Sequence, residues 1–454
     1  MSKKSSYVCQ TCGMLYPKWQ GKCAGCNSWN SIVEELITLN STGLAIKSSN
    51  NVPISIEEIL YENHSRIALN DEEFNRVLGG GLVLGSLVLI GGEPGIGKST
   101  LILQLVLDIG ISGKRVLYIS GEESAAQIKM RANRLGKKYD NCYVFAENCL
   151  EIILKEAANM KPDVIVIDSI QTIYSSSIEA ATGSISQVRA CTMALMEFAK
   201  NMNIAIFIIG HITKEGTLAG PKVLEHMVDV VLQFEGENNM SYRIVRTIKN
   251  RFGPASELGV YQMYTHGLKQ VSNPSEVFLS NRTISANGVA IGTCMEGNRC
   301  IMVEVQALIS RATYSSPQRS TTGFDIKRLH MLLAVLEKII GLKIIMQDVF
   351  LNIVGGLKIT DTSLDLPVCI AMISSFYNKK VSQNICFAGE IGLNGELRNI
   401  MNIEKRIKEA DRLGFNTIYV PHHSDNTFIL NKTKIEVKRI NNLLELVKQL
   451  FQGK

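Results

Sequence analysis

Residues 87–105 read LVLIGGEPGIGKSTLILQL. Leu87–Ile90 is a short apolar strand, Leu101–Leu105 opens an apolar-faced helix, and between them lies Gly92-Glu93-Pro94-Gly95-Ile96-Gly97-Lys98-Ser99-Thr100. The pattern G-x-x-x-x-G-K-S is a phosphate-cradling loop. Its glycines let backbone N–H groups approach the phosphates, Lys98 reaches the outer phosphates, and Ser99 can ligate magnesium. Strand, loop and helix stand in the order the mechanism requires, so this stretch predicts a site for ATP or ADP with Mg2+.

The rest of the core follows the same grammar. Short apolar runs at Ser86–Gly91, Arg115–Ser120, Val164–Asp168, Ile204–Gly210 and Val228–Phe234 end in turn or polar residues. Helical stretches at Ser99–Ile109, Ala125–Leu135, Leu150–Asn159 and Ser186–Lys200 fall between them. Alternation of this kind predicts an α/β core with a central, mostly parallel sheet covered by helices. Beyond a junction at Gly267–Asn273 a second α/β unit is expected. Its strands are placed at Gly288–Gly292, Arg299–Leu308, Asn384–Gly389 and Thr417–Val420, its helices at Phe324–Lys338, Leu366–Ser374, Ile403–Leu413 and Asn441–Gln449. The expected organisation is a cysteine-rich domain over 1–35, a linker over 36–65, an ATPase domain over 66–270 and the second α/β domain over 271–454.

The 454 residues, 46% hydrophobic and 20% charged, are those of an ordinary globular chain. No run approaches the roughly 18 apolar residues of a membrane span, and the N-terminus is no secretory signal, so a cytoplasmic location without a membrane partner is expected. The net charge of +6 permits nucleic-acid contact without demanding it.

Val164-Ile165-Val166-Ile167-Asp168 is the second strand that such a loop needs, ending in a carboxylate able to hold magnesium. Hydrolysis also needs a base. Ser120-Gly121-Glu122-Glu123-Ser124 puts two acids at the end of a neighbouring strand, where either can orient the attacking water; both also suit the first turn of the helix that follows. His211, at the end of the 204–210 run, is placed to sense the outer phosphate. Separately, Cys9-x-x-Cys12 and Cys23-x-x-Cys26 are two knuckles ten residues apart, spaced to close a structural zinc tetrahedron. Trp19 and Trp29, the only tryptophans, flank the second knuckle, and packing within this small domain is the expectation for both.

Taken together, the four-cysteine knuckle, Gly121-Glu122-Glu123-Ser124, the run from Gly216 to Asp229 and Lys249-Asn250-Arg251-Phe252-Gly253 resemble the RadA (Sms) family of bacterial DNA repair proteins over nearly the whole chain. The resemblance implies a RecA-like ATPase core in a homo-hexameric ring. It further implies a DNA-dependent ATPase and helicase that translocates on single-stranded DNA and extends branched recombination intermediates with the RecA recombinase. On these positions Lys98 and Ser99 bind phosphate and magnesium, Glu122 rather than Glu123 is the base, and Asp168 is the magnesium-side acid. Lys249 and Arg251 couple ATP to DNA work, in a place from which a cation can reach a neighbouring subunit's phosphates. Ser175–Arg189 and His211–Lys222 are the candidate DNA loops.

The C-terminal unit resembles the proteolytic domain of Lon, through Gly355-Gly356 with the following strand, the helix from Leu366, and Gly389–Arg398. Lon uses a Ser–Lys dyad, but Asp365 and Glu404 occupy the matching positions here, which implies a proteolytically inactive domain; Ser363 and Lys405 lie near enough in sequence to suggest a shifted dyad. Ring assembly and a basic DNA surface, with Lys338, Lys343, Lys379, Lys380, Lys405, Arg406 and Lys408 available, are expected instead. The competing readings are a Lon-type ATP-dependent protease and a protein-binding signalling ATPase of RecA fold.

Overall fold

The computed structural model describes residues 4–9, 14–25, 27–37, 55, 66–138, 140–211, 222–236, 242–255, 257–279, 286–312, 316–355, 358–422 and 433–452. The chain divides into two compact units, Met1–Val271 and Ser272–Lys454.

The first unit begins with a three-stranded antiparallel sheet, β1 (Lys4–Cys9), β2 (Leu15–Tyr16) and β3 (Ile32–Ile37), in the order β2-β1-β3. Its buried cluster is Cys9, Tyr16, Cys23 and Ile32. Among the described residues the buried side chains of this segment are few, a core of the size that small domains reinforce with a cross-link or metal. Next, β4 (Arg66–Ile67) and β5 (Leu82–Val83) pair antiparallel on either side of α1 (Glu72–Leu78). Asp71 caps the first turn of α1, and Gly79, at φ 77°, ends the helix.

The main sheet has nine strands. They are β6 (Leu87–Gly92), β7 (Val116–Ser120), β8 (Cys142–Ala146), β9 (Val164–Asp168), β10 (Ala205–His211), β11 (Val230–Glu235), β12 (Tyr242–Asn250), β13 (Leu258–Tyr264) and β14 (Gly267–Gln270). The order is β14-β13-β12-β11-β6-β10-β9-β7-β8. The six strands β6 to β11 pair parallel, and β12, β13 and β14 add an antiparallel extension. Helices α2 (Lys98–Ile111), α3 (Ala125–Arg134), α4 (Leu150–Met160), α5 (Ile185–Met202) and α6 (Lys222–Met227) complete the unit. Strand periodicity divides the core: Val88 and Ile90 pack with α1 and α2, whereas Leu87 and Leu89 pack with α4 and α5. The parallel strands are apolar on both faces because helices cover both.

In the second unit the strands are β15 (Val289–Glu296), β16 (Arg299–Arg311), β17 (Arg319–Thr322), β18 (Gln347–Ile353), β19 (Ile385–Phe387), β20 (Glu390–Ile391), β21 (Leu397–Arg398), β22 (Thr417–Pro421) and β23 (Glu436–Ile440). Seven form a mixed sheet of order β17-β18-β16-β15-β19-β22-β23, and β20 pairs with β21. The helices are α7 (Pro274–Phe278), α8 (Ile326–Val335), α9 (Asp365–Tyr377), α10 (Ile403–Arg412) and α11 (Leu443–Val447). Helix α9 is buried on all sides from Asp365 to Ser374, as its uninterrupted apolar sequence requires.

The expected elements are present with ends shifted by a few residues. Three differences are larger. Cys142–Ala146, an apolar run not expected as a strand, is the edge strand of the main sheet and is partly exposed. Gly267–Gln270, read as junction, is the outermost strand of the main sheet. The strand next to Gly355 precedes it, at Gln347–Ile353, and residues 358–361 are irregular.

Candidate nucleotide site

The carboxyl ends of the parallel strands gather the expected groups. Gly92 is in register with His211 on β10 and with Phe234 on β11; Asp168 is in register with Ile209 and with Ser120 on β7. Gly97, at φ 116°, turns the chain into α2, a conformation that excludes side chains other than glycine's hydrogen. Lys98 is buried, and its ammonium donates to the carbonyls of Gly92 at 2.7 Å and Glu93 at 2.8 Å. Burial pushes Lys98 down to about 8, against the opposing fields of Asp168, Glu122 and Glu93. The negative charges of all three carboxylates thus act on this lysine. A Cβ on Gly95 would meet nothing within 4 Å, so the loop leaves room there for phosphate, and Ser99 with Asp168 supplies the hard oxygen donors that magnesium prefers.

The two acids after β7 separate by partner. Glu122 is exposed, and its Oε1 accepts from the Ser169 hydroxyl at 2.7 Å. Glu123 is half-buried and ion-pairs with Arg131 of α3. Of the two acids, Glu122 is the one whose charge acts on Lys98. Gly121 brings this turn against Asp168, donating its N–H to the Asp168 carbonyl at 3.0 Å; a Cβ there would meet Thr172 Oγ1 at 2.0 Å. Two contributors escape sequence reasoning. Tyr118, fully buried, donates its hydroxyl to Asp168 Oδ2 at 2.6 Å, and Ser169 orients Glu122. Tyr118 reads as one more apolar strand residue until the neighbouring strand is known.

Lys249 and Arg251 are engaged within the chain. Lys249 Nζ donates to the carbonyls of Glu225 (2.7 Å), Val228 (2.8 Å) and His226 (3.3 Å), closing the end of α6. Arg251, 50% exposed, pairs with Asp229 Oδ1 at 3.2 Å. Asp229 Oδ2 in turn accepts from the N–H of Leu87, the first residue of the phosphate-loop strand. The remainder of this motif is a backbone clasp: Gly253 and Gly79 approach so closely that a Cβ on either would lie under 3.0 Å from the other's Cα, and Arg66 donates to the carbonyls of Gly79 (2.5 Å) and Phe252 (2.8 Å).

Of the candidate DNA loops, Ser175–Arg189 is pinned by the buried Gln187, whose amide nitrogen donates to the carbonyls of Ser175, Ile178 and Ala180. Arg189 is exposed. Residues 212–221 of the other loop, and the side chain of His211, lie outside the described residues. So do Cys12 and Cys26. Cys9 and Cys23 are both fully buried, with Ser31 Oγ 3.2 Å from one sulfur and Tyr16 OH 3.1 Å from the other. Buried thiols at the centre of so small a core fit metal ligands. Trp19 and Trp29 do not pack as expected: they are 58% and 71% exposed, because the domain has no interior large enough for an indole.

Among the described residues of the C-terminal unit, neither proposed nucleophile–base pair assembles. Asp365 is buried and accepts from both sides of the Arg328 guanidinium and from Ile391 N–H, while Glu404 pairs with Lys408. The shifted dyad fails as well. Ser363 accepts from Arg406 at 2.7 Å and donates to the Thr293 carbonyl at 2.8 Å, whereas Lys405 pairs with Asn298. Arg406 is 1% exposed and bound to Asp361, so it is no part of a DNA-facing surface. Arginine stays protonated in proteins and cannot act as base to the serine.

The family model described as AAA domain matches residues 63–217, that of the rubredoxin metal binding domain residues 7–34, and that of subunit ChlI of Mg-chelatase residues 327–424. The chain is 46% identical over 454 residues to the DNA repair protein RadA of Listeria monocytogenes, covering 98% of each. It is 46% identical over 455 residues to the protein of that name from Bacillus subtilis, covering 99% of each. Among solved structures, a KaiC-like protein from Pyrococcus horikoshii is 18% identical and covers 46% of this chain and 99% of its own, with a TM-score of 0.39. Among the described residues no helix is long and apolar enough to cross a membrane.

Proposed function

Because the chain belongs to the RadA family of DNA repair proteins, with a RecA-like ATPase core, we propose that it is a DNA-dependent ATPase that forms a homo-hexameric ring in the cytoplasm. It translocates on single-stranded DNA and extends branched recombination intermediates together with the RecA recombinase. The observation that carries this reading is the connection through Asp229. One carboxylate holds both Leu87, which opens the phosphate-loop strand, and Arg251, in the motif that follows β12. A change at the nucleotide is thereby transmitted to the segment that Lys249 and Arg251 grip.

In this mechanism Lys98 leaves the carbonyls of Gly92 and Glu93 to engage the outer phosphates, and the N–H groups of the 93–100 turn hold the remaining oxygens. Ser99 and Asp168 hold magnesium, which supplies charge neutralisation at the transferred phosphoryl group. Glu122, aimed by Ser169, orients the attacking water and takes its proton. His211 sits beside Gly92 in the ladder and reads the outer phosphate. Arg251, the more exposed cation of its motif, is the one placed to reach a neighbouring subunit. Cys9, Cys12, Cys23 and Cys26 hold a structural Zn2+. Residues 175–189 and 211–222 contact the DNA backbone, where weak phosphate contacts sum over the ring.

ATP hydrolysis and branch extension are to be measured with and without single-stranded DNA, for the wild type and Lys249→Ala. The expected result is DNA stimulation and extension in the wild type and loss of both in the variant. Hydrolysis insensitive to DNA, with branch extension unchanged by the substitution, overturns the reading.

A further inference from the structure

Arg243 is the second residue of β12, and only 6% of it is exposed. Its Nε–H donates to the carbonyl of Ile96 in the phosphate loop at 3.1 Å, and Nη1 donates to the Tyr242 carbonyl at 2.9 Å. The antiparallel extension lies directly under this part of the loop. A Cβ on Gly97 would stand 3.0 Å from Met263 Cε of β13, 3.6 Å from Leu268 of β14 and 3.9 Å from Phe234 of β11. The chain also yields to the arginine: a Cβ on Gly236 would come within 2.8 Å of Arg243 Cδ.

A guanidinium costs more to bury than a Met or Leu side chain of similar volume. The arginine supplies a donor of fixed direction. In a trans peptide the carbonyl and the following N–H point to opposite sides of the plane. Drawing the Ile96 carbonyl down toward β12 therefore turns the Gly97 N–H the other way, toward the open face of the loop where phosphate is received.

We propose that Arg243 is a positioning residue for nucleotide binding, which sets the Ile96–Gly97 peptide so that the Gly97 N–H addresses a phosphate oxygen of the bound nucleoside triphosphate. The inference rests on the nucleotide site described above and adds to it a residue separated from the loop by 147 positions. Arg243 touches the loop and never the phosphate. Its effect is on affinity and on the geometry of the bound phosphates, not on proton transfer.

The test uses the full-length protein and the variants Arg243→Met and Arg243→Lys. Readouts are the melting temperature without nucleotide, its rise with ATP analogue and magnesium, and the KM and kcat of ATP hydrolysis. Arg243→Met should keep or raise the nucleotide-free melting temperature while KM rises about tenfold or more, the size expected when a charge-assisted hydrogen bond is lost. Arg243→Lys keeps the charge without the fixed Nε–H fork and should restore less than half of the lost affinity on a logarithmic scale. If Arg243→Met fails to fold, Arg243→Lys alone decides. An unchanged KM and nucleotide-induced shift in the folded variant, or full restoration by lysine, overturns the positioning role. A wild type whose melting temperature ignores nucleotide overturns the site itself and this inference with it.

Discussion

The Ser169 hydroxyl donates to Glu122 Oε1 at 2.7 Å, directly after the residue that ends β9. The bond holds a carboxylate whose charge acts on Lys98, while Glu123, one residue on, is paired with Arg131. Two adjacent acids of identical chemistry are thereby given different partners.

Glu122→Gln is expected to lower kcat by about a hundredfold or more, the span of a lost general base, with nucleotide affinity kept within about threefold. Glu123→Gln should change kcat by less than about fivefold and cost about 1 kcal/mol of stability, since its partner Arg131 is partly exposed. Steady-state kinetics beside direct nucleotide titration separates the two. A silent Glu122→Gln with an inactive Glu123→Gln reverses the assignment.

Lys98 makes the nucleotide-free protein sensitive to alkaline pH. Its folded value is pushed from 10.5 to about 8, chiefly by burial, so between these limits the unfolded chain binds the extra proton. The destabilisation is full below pH 8 and is relieved as pH rises from 8 toward 10.5. Lys98→Met should therefore melt higher than the wild type at pH 7 without nucleotide, by a margin that narrows toward pH 10. Phosphate favours the ammonium, so nucleotide affinity should fall by about tenfold per pH unit above 8. Calorimetry in buffers of different ionisation enthalpy should show proton uptake on binding there, and none at pH 6.5.

The C-terminal unit should cleave nothing. Casein incubated with the protein, ATP and DNA is expected to remain intact, and Ser363→Ala should leave ATP hydrolysis unaltered, because the cation on that serine is Arg406. Asp365→Ala, by contrast, strands Arg328 beside a buried site and should cost about 2–3 kcal/mol. Differential scanning calorimetry should show an earlier transition. ATP-dependent cleavage abolished by Ser363→Ala contradicts this account.

The phosphate loop, Asp168 and the pair of acids were legible because their chemistry is local: an apolar strand, a turn and a helix start lie within a few residues of one another. The edge strand Cys142–Ala146 was not, since a run of five apolar residues shows no period that separates a strand from a buried turn of helix. Charge misled in the second unit. Arg406 reads as surface because of its charge, yet it shares the inward stripe of α10 with Ile403, Ile407 and Ala410 and lies inside against Asp361 and Ser363, partners that the sequence places elsewhere. The tryptophans misled in the opposite sense, because the expectation of burial presumes a core large enough to receive them.

The sequence by itself determined that a nucleotide loop stands on an α/β sheet and that two cysteine pairs lie in a small N-terminal domain. These are properties of residue type and short spacing, whereas the lack of a serine–lysine pair at Asp365 and Glu404 was implied by the resemblance to Lon. Only the tertiary structure decided that Ser169 holds Glu122, that Tyr118 holds Asp168, that Asp229 joins Leu87 to Arg251, and that Arg243 reaches the loop. Each of these depends on strand order. Neighbours in a sheet are set by how the strands pair and not by distance along the chain, so residues 22 to 147 positions apart meet at one strand end or at one loop.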